Sequence, residues 1–204
     1  MRQLVDKPRQ RRLSKSGTGR GAPLPAPWTA REASTSTEGL VRFTGLASAY
    51  ESPYEMWDIF GPYTEVVSLG AGAKSLARDD LDVTLNLGHD QMHRIASTLA
   101  GTLNLSESSD GLEVDASLNP DDPDVQLVMR KIEDGLYREM SFAFHIVRGS
   151  WSPDWTEYRI DEYDLHRGDV AIVGYGANPA TVAQLRHSGA DLIPEHRTQR
   201  LLLV

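Results

Sequence analysis

The feature that most constrains the fold is an alternation at residues 138–147, which read Arg-Glu-Met-Ser-Phe-Ala-Phe-His-Ile-Val. Bulky apolar side chains alternate there with small or polar ones, and a period of two is typical of a β-strand with one buried face. Ser141 is the first small residue on the other face, directly after a predicted helix. A hydroxyl held there on a rigid strand, beside small neighbours, leaves room for a substrate. The pattern therefore permits two interpretations of Ser141, a structural serine or a nucleophile.

The composition is that of a soluble globular domain. The chain of 204 residues suffices for one domain with a good core and is too short for two large ones. Its hydrophobic content of 40% and charged content of 25% are ordinary. We expect no membrane span, because no apolar run approaches about 18 residues, and no secretory signal. Since the chain has no cysteine, disulfides, thiolate metal sites and a cysteine nucleophile are excluded.

The net charge of −8 conceals a basic N-terminal segment. Residues 1–31 contain eight Lys or Arg and a single Asp, and they are rich in Gly, Pro and Ser. Such a segment cannot bury enough apolar surface to offset its ordering entropy, so residues 1–38 are predicted to be a disordered basic arm. Its charge leaves open a contact with nucleic acid or an acidic partner, beside the interpretation of a solvated leader without function.

Residues 39–187 are predicted to form the folded domain, and residues 188–204 a C-terminal tail. Strands are predicted at residues 40–47, 63–69, 83–87, 95–105, 112–118, 138–147, 158–165 and 169–173. Helical segments are predicted at residues 74–78, from Pro123 to about Gly135, and at residues 180–186. The dipeptide Asp110-Gly111 predicts a hairpin. Without regular βαβ alternation, the order favours a mainly antiparallel α+β domain, a small β-barrel with helices packed outside.

His89 follows the strand at residues 83–87 and permits three interpretations. As a general base it could take a proton from a serine hydroxyl, because an imidazole titrates near neutral pH. His89 and His93 also have the spacing of a zinc-binding pair on a helix, with Asp90 where a glutamate would act as base. That motif requires a helix, whereas the preceding alternation predicts a strand, and no third ligand stands out. A surface histidine with neither role is the third interpretation.

Four segments together resemble the serine-type prohead maturation proteases of tailed phages, in the family's order and at roughly its spacing. They are the strand leading into His89 and Asp90, residues 101–105 with residues 111–112, residues 140–144, and residues 169–173 ahead of residues 178–181. The resemblance extends from about residue 39 to residue 181. That family is related to the herpesvirus maturational protease, assemblin, so the resemblance implies an assemblin-like barrel surrounded by helices.

The resemblance also implies the catalytic residues. It makes Ser141 the nucleophile and His89 the base. The third member corresponds to Asp169, which opens the strand after the nucleophile. The herpesvirus relatives use a second histidine instead, so His166 is the alternative, and Asp169 is favoured because its strand would aim the carboxylate into a defined site. His145, four strand residues beyond Ser141, would lie roughly 13 Å away and is too distant for a direct hydrogen bond.

The activity implied by the resemblance is that of a serine endopeptidase with an acyl-enzyme mechanism. Its substrates would be the phage major capsid protein, the scaffolding protein and the protease itself, inside the procapsid in the host cytoplasm. No cofactor and no metal are expected, and homo-oligomerisation stays open. The alternatives are a catalytically inactive capsid-assembly scaffold protein of the same fold and, less favoured, a metal-dependent hydrolase using His89 and His93. The presence of Ser141, His89 and Asp169 together argues against an inactive protein.

Overall fold

The computed structural model describes residues 13–14, 39–58 and 60–186. Its elements are β1 (Leu13–Ser14), β2 (Val41–Ala49), β3 (Tyr54–Asp58), β4 (Gly61–Val67), α1 (Ala73–Leu76), β5 (Thr84–Leu87), β6 (Asp90–Ser97), β7 (Leu103–Glu107), β8 (Gly111–Leu118), α2 (Pro123–Glu133), β9 (Glu139–Trp151), β10 (Glu157–Val173) and β11 (Val182–Arg186). This part of the chain is rich in strands with few helices, which confirms the α+β class. None of its helices is long and apolar enough to cross a membrane. The predicted tail and nearly all of the basic arm lie outside the described residues.

The strands form two sheets. One sheet has seven strands in the order β1-β3-β4-β10-β5-β6, with β9 also paired to β10, and the other has four in the order β11-β2-β8-β7. The described strands do not close into one barrel, so the predicted barrel is not found. Most strand pairs are antiparallel, as predicted, but β10 runs parallel to both β4 and β5.

The hairpin predicted at Asp110-Gly111 is confirmed, because β7 and β8 pair antiparallel across that turn. The single strand predicted at residues 95–105 is wrong, since a turn at residues 98–102 separates β6 from β7. Gly101 lies in this turn with a φ of 68°, a conformation that glycine adopts without strain. The strand β3 has no counterpart among the predicted elements.

The helix predicted at residues 180–186 is also wrong, because this segment forms β11. β11 pairs antiparallel with the edge of β2, from Val182 opposite Leu46 onward. The backbone N–H of Ala183 also donates to the carbonyl of Arg138, just before β9. Long-range backbone pairing therefore overrides the weak helical spacing of this short segment.

β10 is the central strand of the larger sheet and changes neighbours along its length. Its first half pairs with β4 and its second half with β5, while β9 runs antiparallel to both halves. The register jumps between Asp164 and Asp169, so residues 165–168 bulge out of the ladder. At Gly168 in this bulge a Cβ would lie 2.0 Å from the carbonyl oxygen of Ala143, so only glycine fits. Regular pairing with β9 therefore resumes at Asp169.

The predicted apolar face of β9 is confirmed. Met140 is fully buried, and Phe142, Phe144 and Ile146 pack against the same apolar cluster. That cluster includes fully buried residues of the four-stranded sheet, such as Phe43. The core thus fixes which way β9 faces, and Ser141 lies on the opposite face because side chains alternate along a strand.

Candidate active site

Ser141 belongs to a row of residues that crosses three strands of the larger sheet. In β9 it pairs with Ala171 of β10, and Ala171 pairs with Asn86 of β5. Directly opposed residues point to the same face of a sheet, so the three side chains share the face opposite to Met140. Ala171, which lies between Ser141 and Asn86 in this row, has only a methyl side chain.

Asp169 belongs to the next row on the same face. It pairs with Ala143 of β9, two residues along from Ser141, and with Thr84 of β5. Ser141 and Asp169 are therefore diagonal neighbours on adjacent strands, at a separation of about 7–8 Å. Asp169 and Ser141, the predicted nucleophile, therefore lie on the same face of the sheet.

His89 occupies a two-residue turn that joins β5 to β6. Leu87 pairs with Asp90, which leaves Gly88 and His89 as the turn, with φ angles of 61° and 63°. Positive φ at both central residues is typical of the type I′ turn that suits the twist of a hairpin. Such a φ is uncommon for residues other than glycine, although histidine is among those enriched in it. The turn holds the imidazole just beyond the end of β5.

The structure brings His89 and Asp169 together. His89 Nδ1 lies 2.5 Å from Asp169 Oδ1. The Asp169 side chain is 4% exposed and the His89 side chain 34%, so a buried carboxylate holds an imidazole that solvent still reaches. When Nδ1 donates to the carboxylate, the neutral ring has its lone pair on Nε2, which is the tautomer that a general base requires.

The hydroxyl of Ser141 makes no hydrogen bond to His89 or to any other residue in the part of the chain that the structure describes. Its side chain is half-buried on the face described above. Hydrogen bonds between a nucleophile and its base are often long before a substrate is bound. The structure therefore joins His89 to Asp169, and Ser141 lies diagonally from Asp169 on the same face of the sheet.

His166, the alternative to Asp169, has a different contact. It lies in the β10 bulge, and its Nδ1 accepts a hydrogen bond from the backbone N–H of Asp82 at 3.2 Å. His145 is exposed and pairs with Asp164, before the bulge. Of the two candidates for the third member, Asp169 is thus the one that contacts His89.

His93 has a carboxylate partner of its own. Its Nδ1 lies 2.9 Å from Oδ1 of Asp124, in the first turn of α2, and this carboxylate raises the pKa of His93. Residues 89–93 form a turn and a strand, so the helix that the zinc interpretation requires is not there. No three His, Asp or Glu side chains within the described ranges come together as a metal-binding group.

Asn86 is a buried residue of this face for which the sequence gives no functional signal. Its side chain is fully buried, and neither Nδ2 nor Oδ1 has a hydrogen-bond partner among the described residues. Unpaired buried amides are rare in folded proteins and cost about 1–3 kcal/mol. Asn86 therefore destabilises the fold at a position two strands from Ser141.

We expect Asn86→Leu to raise the melting temperature by several degrees, because it removes the unpaired amide at similar volume. A gain of about 1 kcal/mol corresponds to roughly 2–4 °C for a domain of this size. Scanning calorimetry measures the shift, with Asn104→Leu on the exposed face of β7 as the control that should show none. A lower melting temperature for Asn86→Leu would mean that the amide is hydrogen-bonded in solution.

A family model described as the caudovirus prohead serine protease matches residues 29–195. The match covers most of the chain, and Ser141, His89 and Asp169 lie within it. The chain therefore belongs to the caudovirus prohead serine protease family, which confirms the resemblance inferred from its sequence. Searches of curated proteins and of solved structures gave no match. Membership indicates a serine peptidase of phage procapsid maturation, which acts on capsid proteins inside the procapsid.

Proposed function

We propose that this protein is a serine endopeptidase with Ser141 as nucleophile, His89 as general base and Asp169 as the residue that orients His89. The observation that carries the proposal is the contact of 2.5 Å between His89 Nδ1 and Asp169 Oδ1. Asp169 lies on the face of the sheet that also carries Ser141, and it contacts His89 in the turn at the end of β5. A nucleophile, a base and a group that orients the base are the recurring parts of covalent acyl transfer.

The reaction begins when Ser141 Oγ attacks the carbonyl carbon of the scissile peptide. His89 Nε2 accepts the hydroxyl proton, and the imidazolium that forms is stabilised by the buried carboxylate of Asp169. The same proton then passes from Nε2 to the leaving amine as the C–N bond breaks, which leaves an ester on Ser141. Water, activated by His89, hydrolyses the ester and restores the serine.

The substrates we propose are the scaffolding protein and the scaffold-like segment of the major capsid protein. Family membership supports capsid proteins as substrates in general. Self-cleavage is part of the same proposal, with cut sites within residues 1–38 or 188–204, which we propose flank the folded domain. Neither segment contains His89, Ser141 or Asp169.

An inactive assembly protein of the same family is the rival function. A protein that only binds its partners has no need of Ser141, His89 and Asp169 together. Here the buried carboxylate of Asp169 holds an imidazole that solvent still reaches, as a general base requires. This arrangement favours an enzyme.

Co-expression with the neighbouring capsid and scaffold genes tests the proposal. We expect mass spectrometry to detect new chain termini in one or both partner proteins with the wild-type protein. Co-expression with Ser141→Ala is the matched control, since any terminus that persists there comes from a host protease. The same termini with both proteins would contradict the proposed function.

A further inference from the structure

The second oxygen of Asp169 is held by a side chain of the β5–β6 hairpin. Gln91 Nε2 donates to Asp169 Oδ2 at 3.0 Å, and Arg94 Nη2 donates to Gln91 Oε1 at 2.7 Å. A guanidinium can only donate, so its contact orients the Gln91 amide with the oxygen toward Arg94 and the nitrogen toward the carboxylate. A chain of three hydrogen bonds thus runs from Arg94 to His89.

An interruption of the β5–β6 ladder makes this contact possible. Leu87 and Asn86 are adjacent in β5, yet they pair with Asp90 and Arg94, so residues 91–93 bulge out of β6. The side-chain Oδ1 of Asp90 accepts from the backbone N–H of Met92 at 2.8 Å and supports the bulge. Bulges beside active sites commonly redirect a side chain, and here the redirected side chain is Gln91.

We infer that Gln91 is a positioning residue of this active site, which acts on His89 by fixing the carboxylate of Asp169, and that Arg94 fixes Gln91 in turn. This inference rests on the proposed function. A carboxylate that is 4% exposed needs donors for both oxygens, and His89 supplies only one. With both oxygens held, Asp169 cannot rotate away from the imidazole, so His89 keeps one orientation.

The second donor to Asp169 is a neutral amide, and this affects how strongly the carboxylate stabilises the imidazolium. An arginine in direct contact with Asp169 would neutralise the carboxylate and weaken its stabilisation of the imidazolium. A glutamine holds the carboxylate without adding charge. The positive charge of Arg94 lies one side chain further away and is exposed, so solvent and salt screen it.

The other ionisable groups of the hairpin have partners of their own. His93 Nδ1 lies 2.9 Å from Asp124 Oδ1, and its Nε2 lies 3.9 Å from Asp90 Oδ2. Of the carboxylates in the described ranges, Asp169 is the one that contacts His89. A change at Gln91 therefore reaches His89 through Asp169.

The test replaces Gln91 by methionine, which has similar length and cannot donate. We expect kcat on a peptide substrate to fall about tenfold to a hundredfold with KM nearly unchanged, the effect of losing one hydrogen bond to a charged group. A lower kcat at an unchanged KM distinguishes a misplaced catalytic group from weaker binding of the substrate.

The matched control is Gln126→Met, because Gln126 is exposed, as Gln91 is, and its side-chain Nε2 donates to the carbonyl of Pro120, away from the candidate site. Arg94→Met is a second variant, which keeps Gln91 and alters only an exposed side chain. We expect it to lower kcat about twofold, as a weak exposed interaction should. Wild-type kcat in Gln91→Met would overturn the inference, and wild-type kcat in Arg94→Met alone would remove the role of Arg94.

Proton NMR of the His89 ring in a Ser141→Ala background gives a readout that needs no activity. The expected result is that the resonance of the Nδ1–H that donates to Asp169 shifts or broadens when Gln91→Met is added, and an unchanged resonance would overturn the inference. Ser141→Ala is also assayed for cleavage, and persistent cleavage there would remove the proposed function itself. An inactive Ser141→Ala beside a fully active Gln91→Met would remove only the role of Gln91.

Discussion

Replacing Ser141 with alanine is expected to abolish cleavage and leave the fold intact. Loss of the nucleophile in a serine protease triad costs on the order of 10⁶ in turnover. The substitution removes one hydroxyl from a half-buried position that has no hydrogen-bond partner within the described ranges, so packing should hardly change. Cleavage of a peptide by the purified variant is the measurement, after circular dichroism and thermal melting have verified the fold.

Ser150→Ala is the matched control for that substitution. Ser150 lies on the same strand, is exposed and pairs with Arg159, far along β9 from the candidate site. It should retain full activity. A well-folded Ser141→Ala protein that still cleaves the peptide at the wild-type rate would contradict the assignment of the nucleophile.

Asp169→Asn is expected to lower turnover by about 10⁴, the value measured for the corresponding change in a serine protease of known mechanism. The amide can donate where the carboxylate only accepts, so His89 Nδ1 would become the acceptor and the proton would move to Nε2. His89 could then no longer accept the proton of Ser141. Steady-state kinetics on a peptide substrate, with the fold verified by circular dichroism, measures the effect.

His166→Ala distinguishes this account from its alternative. His166 accepts a backbone hydrogen bond from Asp82 in the β10 bulge, so we expect a small loss of stability and little loss of activity. If His166 were the third member, the ranking would be inverted, with His166→Ala severe and Asp169→Asn mild. Small and equal effects from both would mean that Ser141 and His89 act as a dyad.

The parts of the fold that local rules determine could be predicted from the sequence. The alternation at residues 138–147 predicts both the strand and the side of it on which Ser141 lies. α2 begins at Pro123 as predicted, because the Asp122 side chain accepts from the backbone N–H of Asp124 and proline suits the first turn. Val125 and Val128, three residues apart on one face of α2, are both fully buried, as in an amphipathic helix.

The contacts that assemble the candidate site could not be predicted, because they depend on pairings between distant segments. Periodicity does not reveal that the second half of β10 runs beside β5, and this pairing brings Asp169 close to His89. The bulge at residues 91–93 likewise has no local pattern, so Gln91 has no signal in the sequence. The structure of residues 180–186 could not be predicted for the same reason, because they form a strand by pairing with the distant strand β2.

Covalent labelling tests the central claim most directly. The wild-type protein is treated with a fluorophosphonate, which reacts with activated serine hydroxyls, and the adduct is located by mass spectrometry of its peptides. The account predicts one adduct, on Ser141, that is absent from His89→Ala and strongly reduced in Asp169→Asn. An adduct on another serine, or an unlabelled Ser141 in a preparation that cleaves capsid protein, would contradict it.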